Sequence, residues 1–345
     1  GPGHLRPEVL ASVTFGTDGD GDALESPVTL LVACAFATGF SGTAVHCFVR
    51  GEDAPGWTKV RVLAGPRGRS EAFSVRDLHI HRDSVTGVDR AFLTIGTHGI
   101  FSGVYDPKVP GGIAWESAPE FGPVEVRPLG ITTANGSLVF SSGARIYRRV
   151  DGPEPSYVVA HDLSDLAPRV RSDVGGIRGL TAIAAPEGHG ESLLFMWSPD
   201  GAAKGEMIRL DRSSEGPLTR HREVALADLI RDYTGATEVQ YVLGAYNDLL
   251  AVDAPGTDAP GTDTPGTGGT GTGAKQHLVG LEFRGAGPEL PIWKRGYYRG
   301  ALYAVRDPEG RYRMERVGGP DGADDAPLVA TRCYAQSPFA GDGST

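Results

Sequence analysis

The pentapeptide Arg127-Pro128-Leu129-Gly130-Ile131 is one copy of the short motif that decides the fold. Each copy joins a leading Arg or Tyr to a run typical of a β-strand. The other copies are Arg76-Asp77-Leu78-His79-Ile80, Arg178-Gly179-Leu180-Thr181-Ala182, Tyr241-Val242-Leu243-Gly244-Ala245 and Arg332-Cys333-Tyr334-Ala335-Gln336. A recurring strand signature indicates a repeat architecture, and about 40–50 residues per repeat is typical of a four-stranded propeller blade.

Strand-like segments fill the intervals that follow the first four copies. They are rich in β-branched and aromatic residues and are bounded by Gly, Pro, Asp or Asn, as β-strands are. The predicted strands are Arg90–Ile95, Ile100–Tyr105, Gly112–Glu116, Ser137–Ser141, Arg145–Arg149, Ser156–Ala160, Ser192–Trp197, Glu206–Leu210, Arg220–Val224, His277–Phe283, Ala301–Val305 and Tyr312–Val317. The sequence therefore predicts an all-β fold, a β-propeller, with one convincing helix at Leu226–Asp232.

The way in which the ring closes decides the number of blades. Val28–Ala35, Ala44–Arg50 and Lys59–Leu63 form three predicted strands without an inner partner. If Leu328–Gln336 pairs with them, strand closure between the chain termini completes five blades and removes exposed sheet edges. The alternative takes Val9–Phe15 as the inner strand of the first blade, so that Leu328–Gln336 begins a sixth. We prefer five blades, with six as the alternative.

We expect residues 1–345 to form a single propeller domain, because all-β folds of this length often form one unit. A hydrophobic content of 40% is sufficient for a sizeable core. Residues 254–274 repeat pentapeptides of the type Ala-Pro-Gly-Thr-Asp. This low-complexity composition is typical of a mobile surface loop, so we interpret the segment as an insert between strands.

Charge and hydropathy limit the partners and the location. The formal net charge of −10 disfavours nucleic acid, whose phosphates would be repelled. The chain contains no run of about 18 apolar residues, so we expect no membrane span. Three cysteines without metal-type spacing are interpreted as small buried hydrophobic residues and favour a reducing compartment. We expect a cytoplasmic protein; a secreted one is the alternative if an export signal has been removed.

The leading residue of each motif copy is the first candidate for function. In a propeller the inner strands line a central channel, so Arg76, Arg127, Arg178 and Arg332, with Tyr241, are predicted to surround its mouth. Arginines can hold a carboxylate, a phosphate or an enolate through paired hydrogen bonds. The alternative is that each arginine ties neighbouring blades together, since recurring positions in repeats usually serve packing.

The segment Asp77-Leu78-His79-Ile80-His81 is the second candidate. Alternate side chains of a strand share a face, so Asp77, His79 and His81 are expected on one side. Such a row suits acid–base chemistry, whereas the alternative is a hydrogen-bonded polar strand. No third ligand has suitable spacing, so we predict no metal site. His98, in the turn between the second and third strands of the same blade, is a further catalytic candidate.

Aromatic residues provide the third candidate. Trp293 and Tyr297 lie in the segment Trp293-Lys294-Arg295-Gly296-Tyr297-Tyr298-Arg299, which we predict to be a loop before Ala301. Aromatic side chains interleaved with arginine can stack on a flat or apolar ligand, and a self-packed loop is the alternative. The familiar nucleotide, cofactor, esterase and metalloprotease motifs do not occur, so we expect no cofactor.

Several turn-rich phrases carry a resemblance to a known family. They are Phe101-Ser102-Gly103-Val104-Tyr105-Asp106-Pro107, Pro110-Gly111-Gly112-Ile113-Ala114-Trp115, Asn135-Gly136-Ser137 and Ser337-Pro338-Phe339. The chain resembles propeller-like proteins of microbial secondary-metabolite clusters, which include a trichothecene-biosynthesis protein of fungi. The resemblance implies a biosynthetic role on a small terpenoid-like or polyketide-like intermediate, such as ring formation or isomerisation.

Together these observations favour a cofactor-independent cyclase or isomerase that acts on an anionic or enolisable small molecule. Asp77, His79 and His98 would provide the acid–base chemistry. The arginines and Tyr241 would stabilise negative charge, and Trp293 and Tyr297 would cover the apolar part of the substrate. Two alternatives stay open: a non-catalytic propeller that binds a ligand or a protein, and a secreted carbohydrate-active propeller.

Overall fold

A computed structural model describes residues 8–68, 70–165, 176–185, 190–198, 205–211, 219–234, 238–241, 248–252, 276–286, 297–306 and 311–316. These residues form an all-β protein with four four-stranded antiparallel sheets and one five-stranded sheet, which follow one another along the chain. The insert at residues 254–274 and the final motif copy, with Arg332, lie outside the described residues.

The sheets are built from strands that are neighbours in sequence. The first contains β1 (Val9–Thr17), β2 (Ala23–Gly39), β3 (Gly42–Gly51) and β4 (Thr58–Gly65). The second contains β5 (Val75–Arg82), β6 (Asp89–Ile95), β7 (Gly99–Tyr105) and β8 (Ile113–Trp115). The third contains β9 (Pro128–Ala134), β10 (Ser137–Ser142), β11 (Arg145–Val150) and β12 (Ser156–Asp162). The fourth contains β13 (Gly176–Ala184), β14 (Glu191–Ser198), β15 (Glu206–Asp211) and β16 (Thr219–Ala225).

The fifth sheet departs from this scheme because two strands share one edge. It contains β17 (Glu238–Tyr241), β18 (Asp248–Val252), β19 (Gln276–Ala286), β20 (Tyr297–Arg306) and β21 (Tyr312–Arg316). Both β17 and β18 pair with β19, at its end and at its start respectively. Helix α1 (Ser70–Phe73) precedes β5, and α2 (Leu226–Thr234) precedes β17 where the sequence predicted a helix.

The predicted strands of the second, third and fourth sheets are confirmed to within two residues at each end. The prediction for the first sheet is wrong in one respect. Leu328–Gln336 was expected to supply its inner strand, but β1 holds that position and pairs with β2 from Val9 to Thr17. The competing interpretation of Val9–Phe15 as the first inner strand is the correct one, because β2 extends far enough to pair with both β1 and β3.

The first strands of successive sheets lie side by side. β1 lies against β5, β5 against β9, β9 against β13, and β13 against β18. This arrangement stacks the sheets face to face. An apolar cluster that includes Phe15, Val32 and Leu93 fills the space between the first and second sheets, and one that includes Phe195 and Trp197 involves the third and fourth.

Two of the cysteines form a disulfide, which corrects their interpretation as free buried residues. Cys34 on β2 lies directly opposite Cys47 on β3, and the two sulfur atoms are bonded. Both residues are fully buried in the apolar cluster between the first two sheets. The sequence did not reveal this pair because it depends on the register of the β2–β3 hairpin. No helix in the described part of the chain is long and apolar enough to cross a membrane.

Gly130, in the motif of β9, provides a test of the packing between the third and fourth sheets. A methyl group added here would lie 2.7 Å from the backbone nitrogen of Leu180 on β13. We therefore expect Gly130→Ala to lower the free energy of unfolding by about 1–3 kcal/mol, measured by urea denaturation. Gly39→Ala is the matched control, since no atom lies within 4 Å of its added methyl group. Equal stability of the two variants would contradict close packing at Gly130.

Candidate functional site

The strand β5 divides its side chains between two interfaces. Leu78 and Ile80 pack into the apolar cluster shared with the first sheet. Asp77, His79 and His81 make their contacts with the third sheet instead. The predicted sharing of one face by these three polar residues is thus confirmed. Asp83, which follows the strand, continues the row through a hydrogen bond with Arg149 of β11.

Asp77 begins the row and bridges two sheets. Its carboxylate accepts hydrogen bonds from the backbone N–H of Leu78 at 2.9 Å and from that of Ile131 on β9 at 3.0 Å. Asp77 is a half-buried residue, and protein atoms surround its carboxylate closely enough to exclude much of the solvent. This burial raises the pKa of Asp77 to about 7, against the opposing effect of the two backbone hydrogen bonds.

His79 and His81 meet at a single hydroxyl group. The Nε2 atom of His79 lies 2.9 Å from Thr133 Oγ1, and the Nδ1 atom of His81 lies 3.1 Å from the same oxygen. Burial, together with the charge that His81 carries when it is protonated, lowers the pKa of His79 to about 4. His79 is therefore neutral at physiological pH, and it lies on the same strand face as a carboxyl group that titrates near pH 7.

Arg149 lies at the far end of the row and is 2% exposed. Its guanidinium donates to Asp83 at 2.7 Å, to Glu120 at 2.6 Å and to Asp151 at 2.5 Å. Burial alone would lower the pKa of Arg149, but the hydrogen bonds and charges of these carboxylates raise it overall. Tyr157 donates to Glu120 at 2.5 Å and extends the cluster to β12.

Two of the carboxylates that bind Arg149, those of Asp83 and Asp151, are held in their ionised form. Burial opposes ionisation of Asp83, but hydrogen bonds from Arg149 and from three backbone N–H groups lower its pKa well below the usual range. The pKa of Asp151 is also lowered, because hydrogen bonds from Ser84 and Arg149 outweigh its burial. These buried charges were missed by the sequence analysis, because Arg149 was assigned only to a predicted strand.

The other predicted site residues are distributed over several places. His98 lies in a 3₁₀ turn, Gly96–His98, and its ring packs against Phe73 with centroids 4.7 Å apart. Burial lowers the pKa of His98. No hydrogen bond joins His98 to Asp77 or His79 in the described part of the structure. Its catalytic role stays a prediction.

The described arginines of the motif lie at or near the start of successive first strands. Arg76 is a half-buried residue of β5, and Arg127 is buried immediately before β9. Arg178 lies in β13 opposite Met196, and Tyr241 ends β17 opposite Phe283. Trp293 lies outside the described residues. Tyr297 was predicted to lie in a loop, but it begins β20 and pairs with Arg284, because this strand starts earlier than its apolar run.

A cavity of about 310 Å³ opens beside the third sheet, at a place that the sequence analysis did not single out. Its walls combine apolar residues with a polar rim, and they do not include Asp77 or His79. The lining residues are Phe121, Val124, Glu125, Val126, Ser142, Gly143, Ala144, Arg145, Tyr147 and Ser164.

Comparison with known proteins assigns no relative: neither a protein-family model nor a curated protein matches the chain. In the described residues no group of three or more His, Cys, Asp or Glu side chains is arranged to hold a metal ion. The candidate site is therefore defined by its geometry alone. It consists of the partly accessible pair Asp77 and His79, the connecting Thr133, and the buried charge cluster around Arg149.

Replacement of Arg149 tests the charge cluster. Arg149→Met leaves Asp83 and Asp151 buried without their cation, so we expect a loss of about 3–5 kcal/mol in the free energy of unfolding at pH 7. Because folding lowers the pKa of both aspartates, their stabilising contribution is fully present above their unfolded pKa of about 3.9 and is lost as the pH falls from there toward the lower folded pKa values. The destabilisation by Arg149→Met should therefore be smaller at about pH 3 than at pH 7, as measured by urea denaturation.

The control for this experiment lies on the same strand. Arg145 forms an ion pair with Asp162 in which both side chains are exposed, by 53% and 40%. Arg145→Met should change the free energy of unfolding far less than Arg149→Met does, with little dependence on pH, because solvent screens this exposed pair. If Arg149→Met behaves in the same way, the cluster does not hold ionised carboxylates.

Proposed function

We propose that the protein is a cofactor-independent isomerase or cyclase that moves protons on a small enolisable molecule. The observation that carries this proposal is that Asp77 and His79, on one strand face, have pKa values shifted in opposite directions. Asp77 titrates near pH 7 and His79 near pH 4, so a carboxylic acid and a neutral imidazole coexist close to neutral pH. Groups with pKa values separated in this way are typical of acid–base catalysis.

In the proposed reaction His79 acts as the base and Asp77 as the acid. The base removes a proton next to a carbonyl group, and the acid returns one at another position or to the oxygen of the enolate. The two side chains are alternate residues of one strand, so their Cα atoms are separated by roughly 7 Å. This spacing suits two neighbouring positions of one small substrate.

The negative charge that develops on the substrate needs a positive partner. Arg76 is adjacent to Asp77 in sequence, and Arg127 precedes the strand that holds Thr133. We propose that these arginines, with Arg178, Tyr241 and Arg332 at equivalent motif positions, stabilise the enolate. Trp293 and Tyr297 are proposed to contact its apolar part. A terpenoid-like or polyketide-like substrate follows from the family resemblance alone and stays part of the proposal.

A non-catalytic binding protein is the main alternative. The contacts of Asp77 and His79 with β9 also join the second and third sheets, and a purely structural polar row would make the same contacts. The third alternative, a secreted carbohydrate-active protein, gains support from the Cys34–Cys47 disulfide, since disulfides persist in oxidising compartments. The cytoplasmic location expected from the sequence stays a prediction.

Proton exchange tests the proposed function without knowledge of the substrate. In D2O the protein should accelerate deuterium incorporation into carvone, a terpenoid-like ketone, or 1-tetralone, a polyketide-like one, followed by mass spectrometry. His79→Gln should reduce this rate at least about 100-fold. His221→Gln is the control, because this half-exposed histidine lies on β16, away from the site. Unchanged exchange in His79→Gln would favour the binding-protein alternative.

The pH profile of the same reaction gives a second readout. His79 must be neutral to act as a base, so the rate should fall as the pH drops below about 4. Asp77 must be protonated to act as an acid, so the rate should also fall as the pH rises above about 7. A single optimum between these values is expected, and Asp77→Asn should remove the fall on the alkaline side.

We propose further that the five sheets close into a five-bladed propeller, with the fifth sheet against the free face of the first. The support is the side-by-side order of first strands from β1 to β18, together with two leucines on the face of the first sheet that points away from the second. On that surface Leu10 and Leu31 are 41% and 36% exposed. Apolar side chains on adjacent strands of one sheet face usually pack against another layer.

Chemical labelling tests this closure. In a closed ring a cysteine introduced by Leu31→Cys should react with a maleimide roughly tenfold more slowly than one introduced by Phe40→Cys, because only the former is covered. Phe40 is fully exposed in the β2–β3 hairpin and serves as the control. Peptide mass spectrometry separates the labelled sites. Equal rates would show that the first sheet has an open face.

A further inference from the structure

The hydroxyl group of Thr133 connects the candidate base to the buried charge cluster. It lies between His79 Nε2, at 2.9 Å, and His81 Nδ1, at 3.1 Å. On its other side, His81 places Nε2 at 3.2 Å from both carboxylate oxygens of Asp151. The side chains of His81 and Asp151 are only 2% and 6% exposed. The four residues therefore form one continuous chain of hydrogen bonds across the interface of the second and third sheets.

The direction of each hydrogen bond follows from the ionised carboxylate at the end of the chain. Asp151 can only accept, so His81 donates its Nε2–H to it. With His81 uncharged before the transfer, which is the starting state of the relay proposed below, its Nδ1 presents a lone pair, to which the Thr133 hydroxyl donates its single proton. The oxygen of Thr133 in turn accepts the Nε2–H of His79. His79 consequently carries its proton on Nε2.

This tautomer leaves Nδ1 of His79 as the basic atom. Within the part of the chain that the structure describes, this atom has no hydrogen bond partner, whereas Nε2 is engaged by Thr133. A general base needs such an available lone pair, and the hydrogen bond at the opposite ring nitrogen decides which nitrogen offers it. Thr133, His81 and Asp151 would thus act on the reaction without touching the substrate.

We propose that Thr133, His81 and Asp151 form a relay that holds His79 in the Nε2–H tautomer and takes up its Nε2 proton when Nδ1 accepts one. The three are positioning residues. The tautomer part stands on the geometry of the hydrogen bonds with an uncharged His81 and does not depend on the proposed function. The transfer part rests on the proposed function, because there the incoming proton comes from the substrate.

The transfer is balanced in protons and electrons. The substrate loses a proton to Nδ1 of His79 and keeps the electron pair as an enolate. The Nε2–H bond of His79 breaks as the Thr133 oxygen gains that proton, and the original hydroxyl proton of Thr133 moves to Nδ1 of His81. His81 is then an imidazolium in contact with the carboxylate of Asp151. The positive charge has moved from His79 to a position where a negative group faces it.

The contacts of Asp151 explain why the proton stops at His81. Asp151 also accepts hydrogen bonds from Arg149, at 2.5 Å, and from the N–H and hydroxyl of Ser84, at 2.8 and 2.9 Å. These donors keep the carboxylate ionised, so it stabilises an adjacent imidazolium rather than taking its proton. The other ionisable groups nearby are Arg90, which lies opposite His81 on β6, Asp83 and Glu120, which both bind Arg149, and Asp77 on β5.

The tautomer of His79 can be measured by nuclear magnetic resonance on the full chain with 15N-labelled histidine. Long-range proton–nitrogen correlations at pH 7 show which ring nitrogen carries the proton. The protein has nine histidines, and the signals of His79 are those lost in His79→Gln. We expect the Nε2–H form in the unmodified protein. The Nδ1–H form as the main species would overturn the proposal without any variant at Thr133.

Variants at neighbouring threonines then test the relay. Thr133→Val removes the hydroxyl, so His79 should become a mixture of tautomers, and Thr133→Ser should restore the Nε2–H form. Thr132→Val is the matched control, because Thr132 is the preceding residue of β9 and the hydrogen bonds of both histidines go to Thr133 instead. An unchanged tautomer in Thr133→Val, with folding confirmed by circular dichroism, would refute the relay.

The exchange reaction separates this proposal from the proposed function. Thr133→Val should lower kcat for deuterium exchange roughly tenfold with little change in KM, and Thr133→Ser should recover most of it. If the tautomer responds to Thr133→Val but the unmodified protein catalyses no exchange, the tautomer part stands and the proposed function fails. If exchange occurs with the same kcat in Thr133→Val, the transfer part is overturned while the proposed function stands.

Discussion

The alternation of side chains along β5 is the constraint on which the two interfaces of the second sheet, with the first and with the third, depend. Every second residue of a strand points to the opposite face, so one strand can serve two neighbouring sheets. Leu78 and Ile80 join the apolar cluster of the first two sheets, whereas Asp77, His79 and His81 reach the third. A shift of register by one residue would place the polar row in the apolar cluster, so the hydrophobic contacts fix the position of the site.

The interface of the second and third sheets buries several charges beside its apolar residues. Its apolar cluster is small, consisting of Phe92, Ile100, Ile131, Leu138 and Phe140. Beside it lie Arg149 and its carboxylates, whereas a larger apolar cluster fills the space between the first and second sheets. Replacement of a buried ionic cluster by apolar residues is often neutral or stabilising, so packing alone does not account for this one. The proposed relay through His81 and Asp151 would account for the buried charges around Arg149.

The sequence was sufficient to predict features that depend on neighbouring residues. Strand positions and the shared face of Asp77, His79 and His81 follow from alternation and from turn residues. Features that join distant segments were not predictable in the same way. Asp83 and Arg149 come together only when β5 and β11 meet across an interface, and nothing local distinguishes Arg149 from the exposed Arg145 on the same strand.

Asp77 and Asp83, at the two ends of the polar row on β5, show how surroundings decide whether an aspartate is ionised at neutral pH. Asp83 faces a guanidinium and three backbone N–H groups, which hold it ionised in spite of burial. Asp77 accepts hydrogen bonds from two backbone N–H groups, and there burial prevails and raises its pKa. The end of the row at Asp83 therefore carries an ionised carboxylate, whereas the end at Asp77 carries a carboxyl group whose pKa is about 7. His79 and His81 lie between these two ends, so a proton taken up by His79 in the proposed reaction would move toward the negative charge of the ionised aspartates.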